Sequence, residues 1–258
     1  MKSQLYLETE ARNGKTIIKD VYFTAPYKIM SPFEEDNYKE RYIEIMQMSA
    51  SAGLLEGDII QGDFLFRENS KVFYTSQSYE KIFRCQEAGV RKNLKIQVEQ
   101  GAKIVYLPQP VIPFGGSVFQ GDTQIYLEHP EIFAYGEVVT CGRSGMGEKF
   151  QMNCYESKCR IYADGQFVFA DHTLLHPRKL NYQNMGMWGE YTHNGLLYIY
   201  VEESKKEERL LMSLQKMCET DAMLLGVTKC FKGILLRALA KSGDEIYETF
   251  KQACSLIA

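Results

Sequence analysis

Val98-Glu99-Gln100-Gly101-Ala102-Lys103-Ile104-Val105-Tyr106 is the middle one of three segments with a common outline. Each opens on an apolar residue, places a glutamate close behind it, turns, and runs as an alternating strand ending in tyrosine. The other two span residues 66–74 and 127–135, and their glutamates, Glu68, Glu99 and Glu128, stand 31 and then 29 residues apart. Such a period in a strand-rich chain points to stacked β-layers, each covering the apolar face of the next, as in a short β-solenoid. Chance similarity among unrelated hairpins would leave the same outline, and the segments alone do not separate the two readings.

Outward from these segments the dominant period stays at two. Residues 41–48 and 94–99 alternate cleanly and residues 58–66 and 122–127 less strictly, the pattern of half-buried strands. Asp164-Gly165 and Asn194-Gly195 are the strongest short-range hairpin signals. The spacing predicts about a dozen strands in one all-β architecture. The last quarter differs. Ser204-Lys205-Lys206-Glu207 has capping-box form, and Leu210, Leu211, Leu214, Met217 and Cys218 follow on one helical face. A strand-like stretch over residues 223–239, broken by Gly226 and Gly233, precedes a second helix carrying Ile246, Phe250 and Cys254. The expected fold is therefore mainly β, irregular stacked β-layers with two C-terminal α-helices. A single domain over residues 1–258 is expected, β-rich to residue 201 and helix-strand-helix from 202 on.

The stretch from Lys103 to Glu148 carries the most unusual composition. Pro108, Pro110 and Pro113, followed by Gly115 and Gly116, fix a path that no ordinary hairpin needs, and a loop of Gly142, Arg143, Ser144, Gly145, Met146, Gly147 and Glu148 closes it. That loop is not a phosphate loop, since Glu148, Lys149 and Phe150 stand where lysine and a hydroxyl residue are required. It is not a nucleophile elbow either, because the glycine after Ser144 comes one residue early.

Thirty basic against 33 acidic residues give a net charge of −3, which argues against sequence-independent nucleic-acid binding. The N-terminal residues lack the apolar run of a signal peptide and no stretch is long enough to span a bilayer, so a cytoplasmic protein is expected. Seven cysteines at irregular spacing suggest reduced thiols rather than a disulfide framework. Asp171-His172 with His176 is the densest ligand-like cluster, able to hold a borderline divalent metal or to be a solvated strand end. Asp58 after Gly57 and Glu148 after Gly147 are carboxylates on glycine turns, suited to turn chemistry or to oxygen ligation. Cys141 beside these elements, with His172, is the remaining candidate pair for chemistry.

Residues 106–117 followed by Gln120, then Gly142-Arg143, Gly147-Glu148 and Phe150, resemble the urease accessory protein UreD family, called UreH in some organisms. Arg12-x-Gly14-x-Thr16 with Pro26, Gly53-Leu54-Leu55-x-Gly57-Asp58, and Thr75-Ser76-Gln77 through Lys81-Ile82-Phe83 support the match, which runs over roughly residues 5–175. Ala52 departs from a glycine common in the family, and Ser76 with residues 78–80 departs from its threonine-glutamine run.

The resemblance implies a non-enzymatic scaffold with an irregular helical-solenoid β-fold and two helices. The implied partners are urease apoprotein and UreF with the GTPase UreG, and the implied task is GTP-dependent nickel insertion. It also implies a tunnel through which nickel passes transiently, no cofactor being held permanently. Replaceable oxygen or imidazole ligands suit such a path, because a tight site would trap the ion. By motif, Asp58 and Glu148 are the expected tunnel residues, with Asp171 a third and His172 and Cys141 neighbouring candidates. Pro108, Pro110, Pro113, Gly115, Gly116, Gly142, Arg143 and Gly147 are expected to shape the passage or an interface. The alternative is an interaction scaffold with no direct metal contact.

Overall fold

The computed structural model describes residues 1–35, 42–218 and 223–257. The hairpin of β1 (Lys2–Arg12) and β2 (Lys15–Phe23) turns on Asn13 and Gly14, both with positive φ, as a two-residue turn between twisted strands requires. The short β3 (Tyr27–Ile29) and β4 (Phe33–Glu35) both pair with β5 (Tyr42–Ser49). Arg41, the first residue of the alternation expected there, lies outside the described residues.

Three coils of solenoid follow. The first is β6 (Ile59–Phe66), β7 (Lys71–Ser76) and β8 (Glu80–Ile82); the second is β9 (Val90–Val98), β10 (Lys103–Tyr106) and β11 (Val111–Pro113). β12 (Val118–Leu127) and β13 (Ile132–Thr140) make the third. Within the coils, β6, β9 and β12 pair in parallel on one sheet, β7, β10 and β13 on a second, and β8 with β11 on a narrow third side.

β14 (Cys154–Ala163) extends the first sheet in parallel, and β15 (Gln166–Leu175) folds back on it through Asp164-Gly165, the hairpin expected from sequence. β16 (His193–Val201) returns antiparallel to β13 on the second sheet. Then come α1 (Ser204–Met217), β17 (Leu224–Cys230), β18 (Gly233–Ala240) and α2 (Gly243–Ser255). The described residues thus hold eighteen strands rather than about a dozen, partly because three-residue strands such as β3, β4, β8 and β11 are too short to show an alternation.

The period of about thirty is the coil itself. Tyr74, Tyr106 and Tyr135 are direct register partners, and their rings stack with centroids 4.7 Å and 5.7 Å apart. Phe66, Val98 and Leu127, which open the three segments, are likewise partners on the first sheet. The glutamates sit at the corners between sheets, where Glu99 accepts from Arg67 Nη1 at 2.8 Å and from the Glu68 amide at 3.2 Å. Stacked layers, not chance hairpins, account for the outline.

The two sheets differ in sequence because they differ in burial. One core lies between the sheets, and a second lies between the back of the second sheet and the helices. Strands of the second sheet are therefore covered on both faces and read as apolar runs, as in Ile132 to Ala134, whereas β9 alternates because one face meets water. Leu210 and Leu214 of α1, and Ile246, Phe250 and Cys254 of α2, are buried as their spacing predicted.

Two local expectations are corrected. Ser204 is the first helical residue and makes no side-chain cap; Glu207 reaches instead to Lys229 Nζ at 2.7 Å, tying α1 to β17. Asn194 and Gly195 lie inside β16 rather than in a turn. Gly195 is required there by packing, since a Cβ would stand 2.5 Å from Ile246 Cγ2 and 2.9 Å from the Phe250 ring.

Candidate functional site

Lys92 on β9 belongs to the same strand face as Leu94, Ile96 and Val98, all three buried between the sheets. Its register partner on β12 is Gly121, whose partner on β14 is Ser157, whose partner on β15 is Thr173. One row of small or polar residues thus crosses an otherwise apolar interior, perpendicular to the strands. The facing sheet has a matching row. Two residues beyond each stacked tyrosine stand Ser76, Pro108 and Glu137, which line the space between the sheets. Side chains too small to meet across the gap leave space, and polar ones make that space wettable.

Three cavities occupy the gap in series, each sharing walls with the next. The outermost, about 140 Å³, has Gln47, Ser49, Ser51, Ser76 and Gln77 in its wall. Glu80, Lys92, Tyr106, Pro108, Gln109 and Val111 line both it and a second cavity of about 50 Å³. That second cavity reaches Thr123, Tyr135, Glu137 and Ser157. Glu137 and Tyr155 are shared with a last pouch of about 10 Å³, about one water in size, which touches Thr173 and Asn194.

Glu137 is the central group. Its carboxylate accepts from the Tyr135 hydroxyl and from Ser157 Oγ at 3.1 and 3.2 Å. Burial pushes its pKa above the ordinary glutamate range, and the charge of Asp171 adds to the rise against the pull of Tyr135, Ser157 and Lys92. At the neck between the first two cavities, Glu80 accepts from Lys92 Nζ at 2.7 Å and from the Tyr27 hydroxyl at 3.2 Å. The Glu80 amide donates to the Pro110 carbonyl at 3.0 Å, so the proline segment sets where this carboxylate sits. Oxygen donors held by neutral hydroxyls can exchange a divalent cation without trapping it.

The residues singled out from sequence fall in different places. Asp171 pairs with Arg237 and accepts from Thr173 Oγ1 at 3.1 Å, beside the last pouch. Asp58 closes its own turn, accepting from the Leu55 amide at 2.8 Å and from the N-terminal amine at 2.7 Å. Glu148 accepts from the Gly115 amide at 2.8 Å and from Arg143 Nη2 at 2.5 Å, and Arg143 lies over the Phe114 ring at 4.5 Å. These two carboxylates stand outside the walls of the three cavities.

His172 is exposed at the surface, 2.9 Å from Glu156, and His176 lies past the end of β15. Cys141 is buried and burial pushes its thiol up, the opposite of what an activated nucleophile needs. Among the described residues no three His, Cys, Asp or Glu side chains form a ready metal cluster. Glu80, Lys92 and Glu137 escaped the sequence reading. The available signal was a lone glutamate in the apolar run from Ile132 to Val139, where a charge is costly unless it has partners.

Pro108 lines the passage, Gly116 donates its amide to the Gln151 carbonyl at 2.8 Å, and Gly142 has φ 127°. A Cβ on Gly142 would stand 2.9 Å from the Glu148 carbonyl oxygen. Gly142→Ala is therefore expected to lower stability by about 1–3 kcal/mol, measurable by denaturant unfolding. Gly147→Ala, with a left-handed φ of 78° but open space around it, is expected to cost less, about 1 kcal/mol.

The structure is thus a β-solenoid with a series of polar-lined cavities between its two main sheets. The family model described as UreD urease accessory protein matches residues 1–258, and this chain belongs to that family. It is 31% identical over 253 residues to the urease accessory protein UreD of Acetivibrio thermocellus, covering 97% of this chain and 95% of that protein. It is 33% identical over 256 residues to UreH of Helicobacter hepaticus, covering 99% and 98%. UreH of Helicobacter pylori strain J99 is 34% identical over 193 residues, 74% of this chain and 72% of that protein. None of the described helices is long and apolar enough to cross a membrane.

Proposed function

We propose that this chain serves urease maturation in the cytoplasm, holding urease apoprotein together with UreF and the GTPase UreG while nickel is inserted, and that nickel travels through the passage between its sheets. The observation that carries the reading is Glu137, a half-buried carboxylate on the wall of a polar passage, hydrogen-bonded only by neutral hydroxyls among the described residues. Nickel is cargo here, and neither nucleic acid nor membrane is a partner. Family membership supports the connection to urease.

Deletion of the gene in cells carrying the cognate urease operon is expected to abolish urease activity, with nickel content of purified urease falling in parallel. Fully active urease after deletion under nickel limitation would sink the proposal. A second reading, a scaffold that never touches the metal, has its own support in exposed apolar side chains such as Tyr22, Leu174, Met185 and Phe231. It predicts that charge-to-polar substitutions lining the passage are harmless while surface apolar substitutions break the complex in pull-downs.

A further inference from the structure

Lys92 stands where the passage narrows from its outer to its inner cavity, and its ammonium sits 2.7 Å from Glu80 with both side chains largely buried, 18% and 15% exposed. The pair closes the neck together with Tyr106 and Pro108, neither of which can swing aside: Tyr106 is clamped in the ring stack and proline has a fixed backbone. Lys92 also lies close enough to Glu137 to favour its charged form. One flexible cation therefore serves the carboxylate at the neck and the field of the one beyond it.

We propose that Lys92 is a tethered counter-ion that makes the neck a valence filter, yielding Glu80 to a divalent cation but not to a monovalent one. The inference rests on the reading of this passage as an ion path. Without Lys92, Glu80 would face the outer cavity with only the Tyr27 hydroxyl on it among the described residues, its charge unopposed there, and would collect potassium or sodium from solution. An ammonium fixed to the wall competes at the high effective concentration of an intramolecular partner. A monovalent ion brings no more charge than the ammonium, so it gains nothing by displacing it. A divalent ion doubles the Coulombic attraction to Glu80 and, keeping part of its water shell in the polar cavities on either side of the neck, can displace the ammonium. Once the ion has moved on toward Glu137, the four-carbon stem of Lys92 lets the ammonium close again on Glu80.

The test uses the purified full-length chain and Ni²⁺ in equilibrium dialysis, at equal ionic strength in potassium chloride or choline chloride. The Glu80→Gln, Glu137→Gln double variant serves as the blank for surface histidines. Wild type and Lys92→Arg are expected to take up Ni²⁺ equally in either salt. Lys92→Gln, which keeps a hydrogen bond to Glu80 but no charge, is expected to bind Ni²⁺ about tenfold more tightly in choline and to lose that gain in potassium.

If Lys92→Gln matches wild type in both salts while Glu137→Gln loses the bound Ni²⁺, the filter is wrong and the ion path stands. If wild type, Lys92→Gln and the blank all bind alike, both fail. Should Lys92→Gln not fold, by circular dichroism, the neutral pair Glu80→Gln, Lys92→Met decides. Potassium then competes with Ni²⁺ for Glu137 if the filter is real, and indifference to potassium overturns it.

Discussion

Glu137→Ala is expected to reduce urease activation by this protein on the order of 10- to 100-fold, the scale on which groups that hold or orient a metal ion act, while the complex with its partners stays intact in pull-downs. The reason is local. Glu137 lines the inner cavity and the last pouch, and its carboxylate is hydrogen-bonded by hydroxyls that a passing cation can displace. Glu137→Gln keeps the shape and is expected to lose activation too, because the amide carries no charge. Retained activation in both variants would mean that nickel does not pass this carboxylate. The Asp58→Ala, Glu148→Ala double variant is the contrast: both carboxylates are bound into turns outside the passage, so activation is expected to persist wherever the protein folds.

The same group predicts a pH dependence. Burial raises the Glu137 pKa in the folded state, so the folded protein holds this proton more tightly than the unfolded chain does. The corresponding contribution to stability is present below the ordinary glutamate pKa and is lost as pH rises through the raised value. Glu137→Gln cannot ionise and escapes that loss. Its melting temperature relative to wild type is therefore expected to climb as pH is raised from the acid side of the glutamate range toward neutrality. A difference that stays constant with pH would show that the folded state does not perturb this carboxyl.

Tyr106→Ala is expected to cost about 3–5 kcal/mol, the range for removing a large buried aromatic. Tyr106 is 3% exposed and central in the stack, with Tyr74 at 4.7 Å, Tyr135 at 5.7 Å and Phe64 at 5.9 Å. Its loss opens a hole spanning three coils, and each layer of a solenoid depends on its neighbours. For a domain of this size the melting temperature should fall by roughly 6 to 20 °C. Tyr106→Phe keeps the ring and is expected to stay within about 1 kcal/mol of wild type. A mild effect of the alanine variant would mean that the coils are not held by the ring stack.

The apolar-glutamate-turn-tyrosine outline was visible in the sequence, and the parallel stacking of three coils in register, which places equivalent residues directly over one another, is what separates it from chance similarity among hairpins. The stripes of α1 and α2 and the Asp164-Gly165 turn are local properties of spacing and of backbone freedom, so they too were legible. Asn194-Gly195 looked like the same turn signal and was not. Its glycine answers to α2, which packs on β16 from a distant part of the chain.

The passage was legible only in part. The proline segment stood out, and it does position Glu80 and line the neck; the sequence alone did not say what it was positioning. Glu80, Lys92 and Glu137 are ordinary residues in their own strands. What sets them apart is that stacking brings Lys92, Gly121, Ser157 and Thr173 into one row and faces that row with Ser76, Pro108 and Glu137. Strand type, coil period and helix faces were determined by the sequence because they depend on neighbours along the chain. The passage and its charged neck were decided by the tertiary structure, because whether a carboxylate is buried, paired or wet depends on which strands lie beside and across from it.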